Sequence, residues 1–265
     1  MKIGILSKRT GNFTGKIKLY LEKKGHAVNI YTGSNLCINN ALLEKDFYIL
    51  KSKHLFFLYA GYFLEANEVP VIPSTDIIHQ HKDRIEAYFS IKNANLLLPN
   101  VFMGTIDTLK SQLKKTDLPL ISKPILGSGS EGVKVINSFQ DFNSIDEESY
   151  YIQKFIEGTH YLVYFIDKEI CICEKKPLAN EHDKVKIIHS DQEIEEYIMK
   201  WKNKYNLLFG HLDLVRENNT DKLYVVDAGT FPEFSNWKNN TDPVSRVCNL
   251  ILDEYQRERD NKNKN

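Results

Sequence analysis

Side chains at three places in this 265-residue sequence have the types and spacing to handle a nucleotide. Lys123 closes the apolar run 120–123, and Gly127-Ser128-Gly129-Ser130-Glu131-Gly132 follows shortly after. A glycine-rich turn offers backbone N–H groups to phosphate oxygens without side-chain obstruction, and a lysine at its edge adds a point charge. Gln153-Lys154-Phe155-Ile156-Glu157 is an apolar strand running into a linker. Such a segment can turn backbone donors and acceptors toward an adenine edge, with a carboxylate nearby for ribose hydroxyls. Asp213, in Gly210-His211-Leu212-Asp213-Leu214, and Asp227, in Tyr224-Val225-Val226-Asp227, stand at similar places on two late apolar runs. Two inward carboxylates on neighbouring strands are costly unless a cation neutralises them. Magnesium bridging nucleotide phosphates takes one or two such carboxylates plus water. Taken singly, these pieces also read as a surface hairpin, an ordinary strand end and a pair of solvent-facing aspartates.

The elements that must position these groups follow from local pattern. Residues 2–6 and 27–31 read as strands around a helix that ends near Gly25, and 47–50 as a third strand. This β-loop-α-β order predicts a parallel sheet with crossover helices. The run 55–67 reads as a buried helix, 69–73 as an extended piece between prolines, and 83–93 as a helix. Residues 120–123 and 133–136 read as a hairpin around the glycine-rich turn, with a further strand at 150–155. Residues 161–166 and 169–173 predict an antiparallel pair, 191–205 a helix, 209–216 and 223–227 a second strand pair, and 249–257 a terminal helix. The polar end 257–265 is expected to fray. The expected units are 1–103, an N-terminal α/β unit on the substrate side; 104–157, a small lid; and 158–265, a C-terminal unit.

The order of the pieces resembles the ATP-grasp superfamily: a strand-ending Lys123, a glycine-rich hairpin, a Gln153-x-Phe155-Ile156 linker, then Asp213 and Asp227 on late strands. The resemblance spans essentially the whole chain. It implies α/β and α+β architecture, with an N-terminal parallel α/β subdomain and two α+β subdomains clamping ATP. It also implies roles. Arg84 and Lys123 face the phosphates, and Gly127, Ser128, Gly129, Ser130 and Gly132 form the loop closing over them. Gln153, Phe155 and Ile156 hold adenine, and Glu157 approaches the ribose. Lys175 or Lys176 sits near the transferring phosphoryl group, and Asp213 and Asp227 hold Mg²⁺, with Mn²⁺ as a substitute. The family ends this run with an acidic residue, a spacer and Asn; here it reads Asp227-Ala228-Gly229, which removes one metal ligand. Glu233 and Asn236 are neighbours that could replace it.

Within the superfamily the opening 2–7 and the loop 123–133 resemble glutamate ligases, which phosphorylate a carboxylate and let an amine displace the phosphate. Those ligases carry an Arg in a D-x-R triplet after the linker, where this chain reads His160-Tyr161-Leu162. The late strands also resemble ATP-grasp inositol polyphosphate kinases. Lys8, Arg9, Lys16, Lys51, Lys53 and His54 could line an anionic substrate pocket or form a solvated basic face. The resemblance therefore implies an ATP-dependent carboxylate–amine ligase, with a small-molecule kinase and a catalytically impaired ATP-binding module as alternatives. The loops 180–183 and 230–237 are expected to select the acceptor, a small molecule or peptide.

Composition narrows the partners. Basic and acidic side chains balance at 35 each. Zero net charge argues against a nucleic-acid or anionic-membrane coat protein, which carries a basic excess. No apolar run approaches the 18 residues of a membrane span, and the first residues do not form a signal peptide. Cys37, Cys171, Cys173 and Cys248 form no C-x-x-C pair and read as core thiols in a reducing, cytoplasmic setting. The expected partners are the acceptor and a second copy of the chain in a homodimer.

Overall fold

A computed structural model describes residues 1–126, 132–145, 151–178 and 184–262. The first strands are β1 (Lys2–Leu6), β2 (Ala27–Tyr31), β3 (Phe47–Leu50) and β4 (Val71–Ile72). They form a parallel sheet in the order β2-β1-β3-β4. Helices α1 (Asn12–Lys23) and α2 (Leu55–Ala66) are its crossovers, and the short α3 (Thr75–His79) follows. Ile3 and Ile5 face α1, while Leu6, Tyr48 and Leu50 face α2, as the two-residue period of a strand requires. The run 55–67 is not wholly buried. Phe57, Leu58, Ala60 and Leu64 pack on the sheet, while Leu55, Phe56 and Tyr59 are exposed, because only one helical face can meet the sheet.

The small middle sheet has the order β5-β8-β6-β7 and is antiparallel, from β5 (Val101–Met103), β6 (Leu120–Lys123), β7 (Lys134–Ile136) and β8 (Tyr151–Lys154). Helix α4 (Arg84–Asn93) precedes it, and α5 (Ile106–Gln112) covers its apolar face through Leu109. Residues 101–103 thus pair into this sheet with β8. Helix α4 packs on the third sheet through Ile91.

That third sheet is antiparallel in the order β11-β10-β9-β12-β13. Its strands are β9 (Gly158–Ile166), β10 (Glu169–Lys175), β11 (Lys186–Ile188), β12 (Phe209–Glu217) and β13 (Leu223–Gly229). Val163, Phe165, Leu212 and Leu214 turn to α6 (Gln192–Tyr205) around Trp201. Leu162, Tyr164 and Ile166 turn the other way and share one core with α1, α7 (Pro243–Lys262) and the first sheet. Helix α7 starts earlier than expected, because Val244, Val247, Cys248, Ile251 and Tyr255 give it a continuous buried stripe, and it continues to Lys262; residues 263–265 lie outside the described residues. Three of the thiols are buried as expected, whereas Cys37 is exposed on a loop.

Asp191 ties the start of helix α6 to β12. The Asp191 carboxylate caps the helix, accepting from Ile194 N at 3.2 Å, and takes a 2.9 Å bond from Arg216 Nη2. Asp191→Ala is expected to cost about 1–2 kcal/mol, the worth of a cap plus a partly exposed ion pair, read as a lower urea midpoint at unchanged m-value.

Candidate active site

Strand alternation puts the candidate residues on one face of the third sheet. In one cross-strand row Leu162 stands opposite Asp213, and Asp213 opposite Asp227. In the next, Tyr164 stands opposite His211, and His211 opposite Gly229. Lys175 pairs with His160 one row further along. These rows floor a cavity of about 340 Å³. Its walls are the end of β6 with Lys123, the start of α4 with Asp83 and Arg84, the β3–α2 loop with Lys51 and Lys53, and the segment 228–233. The size falls within the ordinary range of small-molecule sites.

The two carboxylates are each met by cations. Lys175 Nζ lies 2.9 Å from Asp213 Oδ1, and Arg84 Nε lies 3.7 Å from Asp227 Oδ2. Asp83 caps α4 by accepting from Ile85 N and Glu86 N, both at 3.0 Å, which fixes Arg84 as the first helical residue. Arg84 also donates through Nη1 to Pro124 O, and its backbone N to Ile125 O at 3.2 Å. One side chain therefore joins α4, the exit of β6 and β13. Lys123, only 7% exposed, donates to Val226 O at 2.7 Å.

The electrostatics follow from this crowding. Burial pushes the Lys123 ammonium down to about 8, and Asp227 offsets only part of that shift. Burial alone would raise the Asp227 carboxyl; Lys123, Arg84 and Lys53 outweigh it and hold Asp227 below the ordinary carboxylate value. Burial pushes His160 down to about 4 and lowers His211 as well, so both imidazoles are neutral near pH 7.

Gln153, Phe155 and Ile156 line the same cavity. The Gln153 side-chain oxygen is buried without a hydrogen-bond partner, an acceptor open to a donor such as an adenine amino group. Glu157 is exposed and does not line the cavity. Of the two lysines left open by sequence, Lys175, the last residue of β10, enters the site, and Lys176, just past the strand, is exposed outside it. Gly132 has φ +71°, a left-handed backbone conformation suited to glycine. Gly127, Ser128, Gly129 and Ser130 lie outside the described residues, as does the loop 180–183.

Asp213 and Asp227 fit a hard divalent cation such as Mg²⁺ that completes its shell with phosphate oxygens and water. Among the described residues no group of three or more His, Cys, Asp or Glu could hold a metal by itself. The third position of the family pattern is closed sterically. A Cβ on Gly229 would lie 2.3 Å from His211 Cε1, so the imidazole fills the space that an Asn there would need. Both expected substitutes line the cavity, and each has partners there. Glu233 pairs with Lys51 and accepts from Phe13 N at 3.3 Å, at the start of α1. The Asn236 carbonyl takes a contact from Cys173 Sγ at 3.4 Å.

His160, Tyr164 and His211 are the site residues that motif reading passed over. The signal was present, since each stands two or four positions from a residue on the same strand face. Phe234 and Trp237 are both buried and anchor the 230–237 loop, Phe234 packing against Tyr164 and against Trp237.

Comparison with known proteins agrees with this geometry. Residues 81–200 match the family model of the ATP-grasp domain. The chain is 22% identical over 247 residues to the glutamate–LysW ligase ArgX of Sulfurisphaera tokodaii, covering 84% of this chain and 87% of that protein. It is similar to D-alanine–D-alanine ligase of Bacillus anthracis, solved with ATP, at TM-score 0.71 and 14% identity over 98% of this chain and 99% of the other. It is also similar to the ATP-grasp ligase PsnB, solved with a minimal precursor, Mg and ADP, at TM-score 0.69 and 12% identity over 96% and 98% of the two chains. Among the described residues no helix is long and apolar enough to cross a membrane. The chain has the ATP-grasp fold, and its residues 81–200 match the model of the ATP-grasp domain.

Proposed function

We propose that this chain is an ATP-dependent carboxylate–amine ligase. The observation that carries the reading is the convergence of Arg84, Lys123 and Lys175 with the facing carboxylates Asp213 and Asp227 in one cavity. That set suits positioning and charge stabilisation of a phosphoryl group between an ATP and an acceptor oxygen. Gln153, Phe155 and Ile156 line the part of the cavity suited to adenine, and Arg84 and Lys123 hold the phosphates from the β6 side. Asp213 and Asp227 would hold Mg²⁺, and the ion would supply neutralisation of charge on the phosphates. Lys175, oriented by Asp213, faces the transferring group. The acceptor is a small molecule or a peptide; the names of two relatives, a ligase of the protein LysW and one solved with a precursor, support the peptide form. The proposed units are 1–103, 104–157 and 158–265, with β5 at the end of the first crossing into the sheet of the second, in a cytoplasmic setting.

Hydroxylamine tests this without knowledge of the natural amine, because it intercepts an activated carboxylate as a hydroxamate. Incubation with ATP, Mg²⁺, hydroxylamine and a panel of amino acids, small di- and tricarboxylates and acidic peptides is expected to yield hydroxamate, ADP and free phosphate in equal amounts. ADP without free phosphate would indicate a kinase instead, and no ADP with any acid would rule the ligase reading out.

A further inference from the structure

The parallel sheet places a binding crevice. Its order β2-β1-β3-β4 reverses between β1 and β3, and the chain leaves β1 toward one side and β3 toward the other. Open parallel sheets bind ligands outside the carboxyl ends of the strands at such a reversal. The segment leaving β3 there is Lys51-Ser52-Lys53, held down by Lys51 N and Ser52 N donating to Leu6 O at 3.0 and 3.1 Å. Both lysines line the cavity that also holds Asp213 and Asp227.

Most of the cavity's cations are already engaged. Lys51 pairs with Glu233, Lys82 with Glu86, Arg84 with Asp227 and Lys175 with Asp213, and Lys123 donates to Val226 O. Among the described residues lining the cavity, Lys53 is the cation that makes no hydrogen bond or ion pair. It is solvent-exposed but enclosed by the cleft walls, and desolvation there lowers its ammonium pKa. Its largest favourable charge interaction is with Asp227, short of contact. An enclosed, unpaired ammonium is a place where an anion gains most. Arg84 and Lys123 reach the cavity from the β6 side, whereas Lys53 enters from the first sheet. Lys53 also feels Arg84 and Asp83, so it stands at the Asp227 end of the cavity, on the first-sheet side of the groups assigned to the ATP phosphates.

We propose that Lys53 is the cation that receives the acceptor carboxylate and stabilises the acyl phosphate formed from it, a role resting on the ligase reading above. The strand position where glutamate ligases place an Arg for this purpose reads His160-Tyr161-Leu162 here, and His160 is neutral near pH 7. In the first step a carboxylate oxygen bonds to the γ-phosphorus while the bond from that phosphorus to the β,γ-bridging oxygen breaks, and ADP leaves with the electron pair. In the second the amine nitrogen bonds to the acyl carbon, the carbon–oxygen bond to phosphate breaks, and the amine proton passes to solvent. Lys53 counters the negative charge on the acyl oxygens in both steps.

Lys53→Met and Lys53→Arg are compared with the unaltered chain in the hydroxylamine assay, using the acid that gives hydroxamate, alongside the thermal shift given by Mg²⁺ and ATP. The expected result is a hydroxamate rate down about 100-fold in Lys53→Met, the usual cost of one transition-state donor. Lys53→Arg is expected to recover at least tenfold of that, with the ATP-induced shift unchanged in both variants. A Lys53→Met rate within threefold of the unaltered chain overturns the role of Lys53 and leaves the ligase reading standing. An equal loss of the ATP-induced shift in Lys53→Met also overturns it, by assigning the residue to the nucleotide. Absence of hydroxamate from the unaltered chain with every acid overturns the ligase reading and this role together.

Discussion

Asp227→Asn is expected to lower the rate of hydroxamate formation about 1,000-fold while leaving most of the ATP-induced thermal shift in place. The carboxylate lies where three positive side chains converge, and their combined field holds it ionised despite burial. Asn keeps the shape and removes the charge. The nucleotide then loses metal-mediated neutralisation during phosphoryl transfer, which typically accounts for several kcal/mol of transition-state stabilisation. Arg84 and Lys123 lose a competing anion at the same time, so their attraction for the phosphates of ATP rises. Binding and turnover are thus expected to part company. A structural role for Asp227, through its short-range contact with Ala228 N at 2.9 Å, would instead lower the melting temperature of the free protein without separating the two readouts. Loss of the ATP shift together with the rate would mean that Asp227 chiefly holds the nucleotide, and an unchanged rate would remove it from the metal site.

Much of this site could be read from sequence because strands announce themselves. The two-residue alternation that makes Val163 and Phe165 core residues also turns Leu162 and Tyr164 toward the cavity. It likewise puts Asp213 and Asp227 on a shared face once β12 and β13 pair. Lys123, Gln153 and Asp213 were therefore recoverable from local pattern. The choice between Lys175 and Lys176 was not, since it depends on the register of β10 against β9. Lys51 and Lys53 read as either pocket or solvated face for the same kind of reason. Their place follows from the strand order β2-β1-β3-β4, a long-range pairing that no local window contains. The pieces absent from the sequence reading, α3, β5, α5 and β11, are short elements whose few apolar residues show no full period. Gly229 gives the clearest contrast. The resemblance leads one to expect an Asn there, and in the fold the His211 ring occupies the space its side chain would need.

The second large effect concerns Lys123 and pH. Its ammonium, ordinarily near 10.5, is pushed down to about 8 by burial beside Arg84 and Lys175. The charge is therefore present below about pH 8 and lost as pH rises above it. Phosphate oxygens brought against the ammonium favour the charged form, so bound ATP raises this pKa again. For the free enzyme, kcat/KM for ATP is expected to fall about tenfold per pH unit above pH 8, whereas kcat at saturating ATP holds to higher pH. ATP binding above pH 8 is also expected to take up a proton, visible in calorimetry as a heat that depends on the ionisation enthalpy of the buffer. Lys123→Ala removes both effects and lowers kcat/KM for ATP about 100-fold or more at pH 7, since the phosphates lose a buried charge. Lys123→Met serves as the packing-conserving partner, filling the space between β6 and β13 without the charge. If the basic limb persists in Lys123→Met, the titrating group is another one, and Lys123 does not set the pH dependence of ATP capture.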